Sequence, residues 1–103
     1  MTHYFIKILR GLFNLLEQKK FQELFGVITG YDLESLLESE KEWYHHGRDM
    51  EEISLLYPDV LFELEGNGEE WDDHWQARYL NGKEEKVHAN VRIVYPEFKE
   101  LLK

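Results

Sequence analysis

The 103-residue chain carries 12 basic and 21 acidic side chains, for a formal net charge of -9, with 43% hydrophobic residues and no cysteine. Such a composition is too apolar for disorder and sufficient for one domain with a modest core. The lack of cysteine excludes thiol nucleophiles, thiolate metal sites and disulfides, and fits a cytoplasmic protein.

"MTHYFIKILRGLFNLL" opens the chain. Lys7 and Arg10 interrupt its apolar run and no small-residue cleavage site follows, so neither a signal peptide nor a membrane span is expected. Phe5, Leu9, Leu12 and Leu16 stand at helical spacing, with Ile8 and Leu15 widening the stripe, which predicts a helix over 3–16 capped by Thr2. The pattern restarts after Lys19 and Lys20 with Phe21, Leu24 and Phe25. Gly26 and Gly30 bracket "VIT", which reads as a short strand or a connector.

Asp32 is placed to cap a second helix presenting Leu33, Leu36, Leu37, Trp43 and Tyr44, with His45, His46 and Gly47 at its C-terminal end. "DMEE" then suggests a capping box, Asp49 with Glu52, opening a third helix that carries Met50, Ile53, Leu56 and Tyr57 and stops before Pro58.

Beyond Pro58 the period becomes two. Val60, Phe62 and Leu64 form one alternating set, Trp71, Trp75, Ala77 and Tyr79 a second, and Val87, Ala89, Val91, Ile93 and Tyr95 a third. The expected fold is α+β: one domain, mainly helical over 1–58, a three-stranded antiparallel meander over 59–95, and a short helix over 96–103 with Pro96 in its first turn. "LNGK" at 80–83 is the hairpin turn. A two-residue Asn-Gly loop would set Trp75 beside His88 and Ala77 beside Lys86, mixing apolar and polar faces. A three-residue loop is therefore preferred. It pairs Trp75 with Val87 and Trp71 with Val91 on the buried side, and Arg78 with Glu84, Gln76 with Lys86, Glu70 with Arg92 and His74 with His88 outside. Asp73 breaks the alternation, either through a bulge or as a buried carboxylate bonded to amides of the 66–69 loop. The second is favoured.

Residues 31–75 hold fifteen acids against two bases, a local net of -13. That stretch repels nucleic acid and anionic membrane and attracts a basic protein surface. Glu38, Glu42, Glu51, Glu52, Glu69, Glu70 and Asp72 are the candidate partner-binding residues, with Tyr31 or Tyr44 as aromatic anchors if exposed. Carboxylates at helix and strand spacing can take the place of phosphates in a basic groove.

Catalysis finds little support. Ser35, Ser39 and Ser54 have no histidine at motif spacing, "GNG" at 66–68 lacks the lysine of a phosphate loop, and the acids at 69–73 are not opposed across a cleft. No cofactor is expected. The alternative function is a metal-binding module or metal-dependent enzyme using His74, His88 and Asp72. His45 and His46, adjacent on a helix, diverge too far to share an ion.

Tyr57-Pro58-Asp59, Phe62, Gly66, Gly68-Glu69-Glu70, Asp73, Trp75 and Asn81-Gly82-Lys83, with "EF" at 97–98, form a pattern: YPD, an aromatic strand, GxGEE, DxW, NGK. It resembles small proteins of bacteriophages and mobile elements, mainly of Gram-positive bacteria, and covers the second half of the chain. The resemblance implies a shared helix-plus-sheet unit and, for Asp73, a structural pin. It suggests a phage-type inhibitor, anti-CRISPR-like, that binds a CRISPR effector or other nuclease in the host cytoplasm. No direct contact with nucleic acid or membrane is expected. The protein is expected to act as a monomer or homodimer.

Overall fold

In the computed structural model, residues 1–68 and 73–88 are described. The protein is α+β, with a four-stranded antiparallel sheet in the order β1-β2-β3-β4 covered on one face by three helices. The strands are β1 (His3–Arg10), β2 (Leu61–Asn67), β3 (His74–Leu80) and β4 (Lys83–His88). The helices are α1 (Lys19–Thr29), α2 (Leu33–Glu38) and α3 (His46–Leu56).

The N-terminal segment corrects the expected helix and the expected three-stranded sheet together. Residues 3–10 are an edge strand paired with β2, Tyr4 opposite Gly66 and Ile6 opposite Leu64. Tyr4, Ile6 and Ile8 are buried while Phe5 and Lys7 are exposed, the two-residue alternation of a half-buried strand. Of the expected helix, only a single 3-10 turn forms, at Leu15–Glu17.

Helix α1 begins where the apolar pattern restarts and runs through "VIT" to Gly30, so residues 26–29 are helical and not a strand. The Asp32 cap is as expected: its carboxylate accepts the Ser35 amide at 3.1 Å. The helix it opens ends at Glu38, however, leaving Trp43 and Tyr44 outside it. Lys41 instead bridges to Thr2 through two backbone hydrogen bonds, of 3.1 and 2.9 Å. His46 and Gly47 open α3, with His45 at its N-cap, where a helix C-terminus was expected. Asp49 therefore lies in the first turn and caps nothing. It is buried and accepts the Trp43 indole N–H at 2.8 Å.

Phe21, Phe25, Leu33, Leu36, Met50 and Ile53 from the helices pack against Tyr4, Ile6, Ile8, Phe62, Leu64, Trp75, Ala77 and Tyr79 from the sheet. The rings interlock, with Phe21 stacked on Phe62 and edge-on to Tyr57, and Phe25 edge-on to Trp43.

The β3–β4 hairpin takes the register the sequence argued against. Trp75 faces His88, Ala77 faces Lys86 and Tyr79 faces Glu84. Asn81 at φ 48° and Gly82 at φ 80° make a two-residue turn of the left-handed kind that matches strand twist. The Gly82 amide also donates to Ser54 Oγ at 2.8 Å, tying the turn to α3. Polar residues on the helix side are tolerated because every residue of β4 is exposed and two of these side chains find partners. The Tyr79 hydroxyl donates to Glu84 Oε2 at 2.7 Å, and the Lys86 ammonium lies 4.3 Å from the Trp75 ring centre. Arg78 consequently pairs with Glu85, Gln76 with Val87, and Val87 is exposed.

Asp73 is exposed, contrary to the favoured buried reading. It does pin the loop, but through its main chain, whose carbonyl accepts the Gly68 amide at 2.8 Å. Trp71, the strand expected beyond His88 and the helix at 96–103 lie outside the described residues.

Candidate functional site: an acidic end beside an aromatic cleft

The fold divides the acids of residues 31–75 into separate groups. Glu63 and Glu65 point to the uncovered face of the sheet, where Arg78 Nε meets Glu63 at 3.3 Å and His74 Nε2 meets Glu65 at 3.1 Å. With Lys7 opposite Glu63 and Glu85 opposite Arg78, one row across this face alternates in sign. This face is electrostatically balanced and does not present a single sign of charge.

Glu51 and Glu52 lie on α3. Glu51 is half-buried beside Tyr79, and its main-chain carbonyl accepts the Ser54 hydroxyl at 2.8 Å. Glu69, Glu70 and Asp72 lie outside the described residues.

The remaining acids gather. Asp32, Glu34, Glu38, Glu40 and Glu42 are all exposed, on α2 and the segment that follows it. His3 Nε2 lies 2.8 Å from the Leu37 carbonyl, and Thr2 pairs with Lys41, so this segment flanks the end of the sheet where β1 begins. Within residues 32–42 the only cation is Lys41. The opposite end of the sheet carries exposed Arg10 and Lys83, and α1 opens towards it with exposed Lys19 and Lys20. The separation is partial: exposed Asp59 and Glu84 share the end that carries Arg10 and Lys83, and exposed Lys86 lies over Trp75 near the acidic end.

Exposure alternates from Glu40 to Tyr44. Glu40, Glu42 and Tyr44 face solvent, while Trp43 is buried and Lys41 half-buried. Tyr44 is 79% exposed, and its hydroxyl donates to Glu42 Oε2 at 2.9 Å. That hydrogen bond, then the carboxylate's charge, pushes the Tyr44 phenol up from its ordinary value. The Tyr31 hydroxyl donates to the main-chain carbonyl of Glu42, fixing the backbone beneath that side chain. Of the two proposed anchors, Tyr44 is presented outward and half-buried Tyr31 is a brace.

Beside Tyr44 opens a cleft of about 320 Å³ whose lining includes Tyr4, Glu42, Trp43, Tyr44, His46 and Trp75. Lys41 also lines it. The His46 ring stacks on Trp75 with centroids 4.6 Å apart. Its Nδ1 lies 3.0 Å from the Trp43 carbonyl and its Nε2 lies 3.3 Å from the Lys86 ammonium. An ammonium can only donate, so Nε2 accepts and Nδ1 carries the proton given to Trp43. Burial, the largest influence, lowers the His46 pKa from its ordinary 6.5. A neutral imidazole at the floor of the cleft is the result.

The alternative metal set is not assembled. Trp75, not His74, faces His88, so His74 and His88 project from opposite sides of the sheet. Asp72 lies outside the described residues, and among the described residues no three His, Asp or Glu side chains converge as metal ligands. Tyr79 is no better as a catalyst. Burial, followed by its bond to Glu84 and that group's charge, drives its phenol far above its ordinary value. No helix among the described residues is long and apolar enough to cross a membrane.

The sequence signalled Tyr44 and Glu42 separately but not the cleft. Its walls come from β1, β3, α3 and the segment before α3; Trp75 read simply as core, and Tyr4 fell in the expected helix outside its apolar stripe. Comparison with protein-family models, with curated proteins and with solved structures yields no match.

Proposed function

We propose that this protein is a non-enzymatic adaptor or inhibitor whose acidic end docks on a basic protein surface. The observation that carries the reading is the exposed set Asp32, Glu34, Glu38, Glu40 and Glu42, with one intervening cation, beside outward-facing Tyr44. Carboxylates so arranged steer a positive partner and raise its association rate, while a large aromatic supplies contact area. Glu38 and Glu42 stay in the docking set, and Glu34 and Glu40 join it. Glu51 is reassigned to packing beside Tyr79.

The phage-type pattern in the second half of the chain suggests the form of inhibition. The acidic end would occupy a groove that otherwise holds nucleic acid, as in an anti-CRISPR-like blocker of a CRISPR effector or another nuclease. The test is retention of a basic partner from host extract by immobilised protein, wild type against a variant with Glu34, Glu38, Glu40 and Glu42 all changed to lysine. Wild-type retention should weaken steeply as salt shortens the screening length below about 8 Å. The variant should retain nothing specific. Equal retention by both proteins would refute the reading.

A further inference from the structure

We propose that the cleft beside Tyr44 receives one arginine side chain of the docking partner. The proposal rests on the acidic-end reading and deepens it, by naming the group that the end selects and the residues that select it.

Three features argue for a planar cation. Glu42 lines the cleft, and the Tyr44 hydroxyl and the main-chain bond from Tyr31 hold it in place. A carboxylate so oriented suits the paired N–H groups of a guanidinium. The Tyr44 ring stands beside it, 79% exposed, so a flat cation can stack there while it bonds to Glu42. The third feature is the floor. His46 is held neutral by burial and accepts at Nε2, so it adds no positive charge beneath the guest.

The protein's own use of the same wall points the same way. Lys86 reaches from β4 to place its ammonium over Trp75 of β3 and against His46 Nε2, so a cation already rests on this aromatic group. Trp75 and Tyr44 both line the cleft, and Lys86 does not. Met1, Thr2 and Lys41 line it as well, and Glu42 is the acid among the lining residues that answers a cation. A volume of about 320 Å³ accommodates one long side chain and no folded element.

The experiment titrates the intact protein with a capped Gly-Arg-Gly tripeptide and follows the indole N–H resonances of Trp43 and Trp75 by NMR. Saturable shifts at roughly millimolar concentration are expected for one side chain. The tripeptide with citrulline, which keeps the shape but not the charge, should bind about tenfold more weakly or not at all. Glu42→Gln and Tyr44→Ala should each weaken binding by about tenfold. Both side chains are exposed, and an unchanged unfolding midpoint verifies that each variant folds. Equal binding of the citrulline peptide, or wild-type binding by both variants, overturns the proposal. Concentration-dependent self-association abolished by the same two substitutions would assign the cleft to a side chain of a second copy and also overturn it.

Failure here is distinguishable from failure of the acidic-end reading. Glu34→Lys with Glu38→Lys should abolish salt-sensitive retention of the basic partner and leave tripeptide binding within about twofold, because neither residue lines the cleft and salt screens exposed charges outside it. Loss of retention without any tripeptide binding sinks the cleft alone. Tripeptide binding with retention that survives the α2 reversal contradicts the proposal as stated, since the cleft would then act without the acidic end.

Discussion

The Trp43 indole donates its proton to the Asp49 carboxylate at 2.8 Å, and both residues are buried, at 2% and 4% exposure. This one contact joins the segment leading out of α2 to the first turn of α3. Arg48 adds little, because its 3.7 Å approach to Asp49 comes from a side chain that is 70% exposed. Asp49→Ala strands a buried indole N–H and should cost about 2 kcal/mol of unfolding free energy. Asp49→Asn keeps an acceptor and should lose much less. Urea unfolding of the two variants checks the difference. Equal losses would mean that neither the space nor the neutral acceptor kept by asparagine matters here, and that the charge of the Asp49 carboxylate does.

Asp49 also shows where the sequence misled. Its acidic neighbours and Glu52 imitate a capping box, but a cap needs an exposed helix start, and here α3 had already begun at His46. The first ten residues misled for another reason. Phe5 and Leu9 place apolar side chains on the outer face of β1, so a stripe at helical spacing coexists with the alternation of Tyr4, Ile6 and Ile8. Gly11, with φ at 104°, sits inside the supposed helix and marks the end of the strand. The Asp32 cap, the restart at Phe21, the stop before Pro58 and the alternation in β2 and β3 were legible because each depends on local chemistry. The hairpin register depends on which part of the sheet the helices cover, and nothing in the local pattern carries that.

Val87 gives a direct test of the register. In the pairing set by the Asn81-Gly82 turn it is 66% exposed, whereas the alternative pairing would bury it opposite Trp75. Val87→Thr should therefore change stability by less than about 0.5 kcal/mol. Gly82→Ala should cost about 1–2 kcal/mol, because its φ of 80° disfavours a side chain and a new Cβ would press on Leu55. Denaturant midpoints measure both. A large loss at Val87 would require the other turn; Gly82→Ala tests only the left-handed glycine, which a three-residue loop would also need.

Gly66 is needed for space. It pairs with Trp75 across β2 and β3, and a Cβ at this position would overlap the indole. Gly66→Ala should cost about 1–3 kcal/mol by forcing the ring off its seat. The displaced Trp75 should also alter the near-ultraviolet circular dichroism and weaken tripeptide binding in the neighbouring cleft. If Gly66→Ala is silent in all three, Trp75 does not lie across this glycine.

His46 predicts an acid-side loss of stability whose sign follows from its neighbours. Lys86, Glu84 and Asp49 are the charged groups acting on it, and Trp75, Trp43 and Tyr4 are its ring contacts. Protonation would put a proton on Nε2, directly against the Lys86 ammonium at 3.3 Å. Burial already holds the folded-state pKa below the ordinary 6.5 expected in the unfolded chain. The unfolded state therefore binds the proton more readily, and stability rises with pH where the two states differ in protonation. The contribution from a neutral His46 is fully present above pH 6.5. It is lost as pH falls from there through the lower, folded-state value. Carboxylates add their own acid dependence, so the measurement is a comparison: unfolding free energy against pH for wild type and for His46→Gln. Between pH 7 and the onset of carboxylate titration the wild type should lose stability faster than the variant. Lys86→Met should reduce that slope without removing it, because burial, which outranks the Lys86 charge as the cause of the shift, stays in place. Parallel curves for wild type and His46→Gln would show that the imidazole is as easily protonated in the fold as out of it, and the neutral cleft floor would go with it.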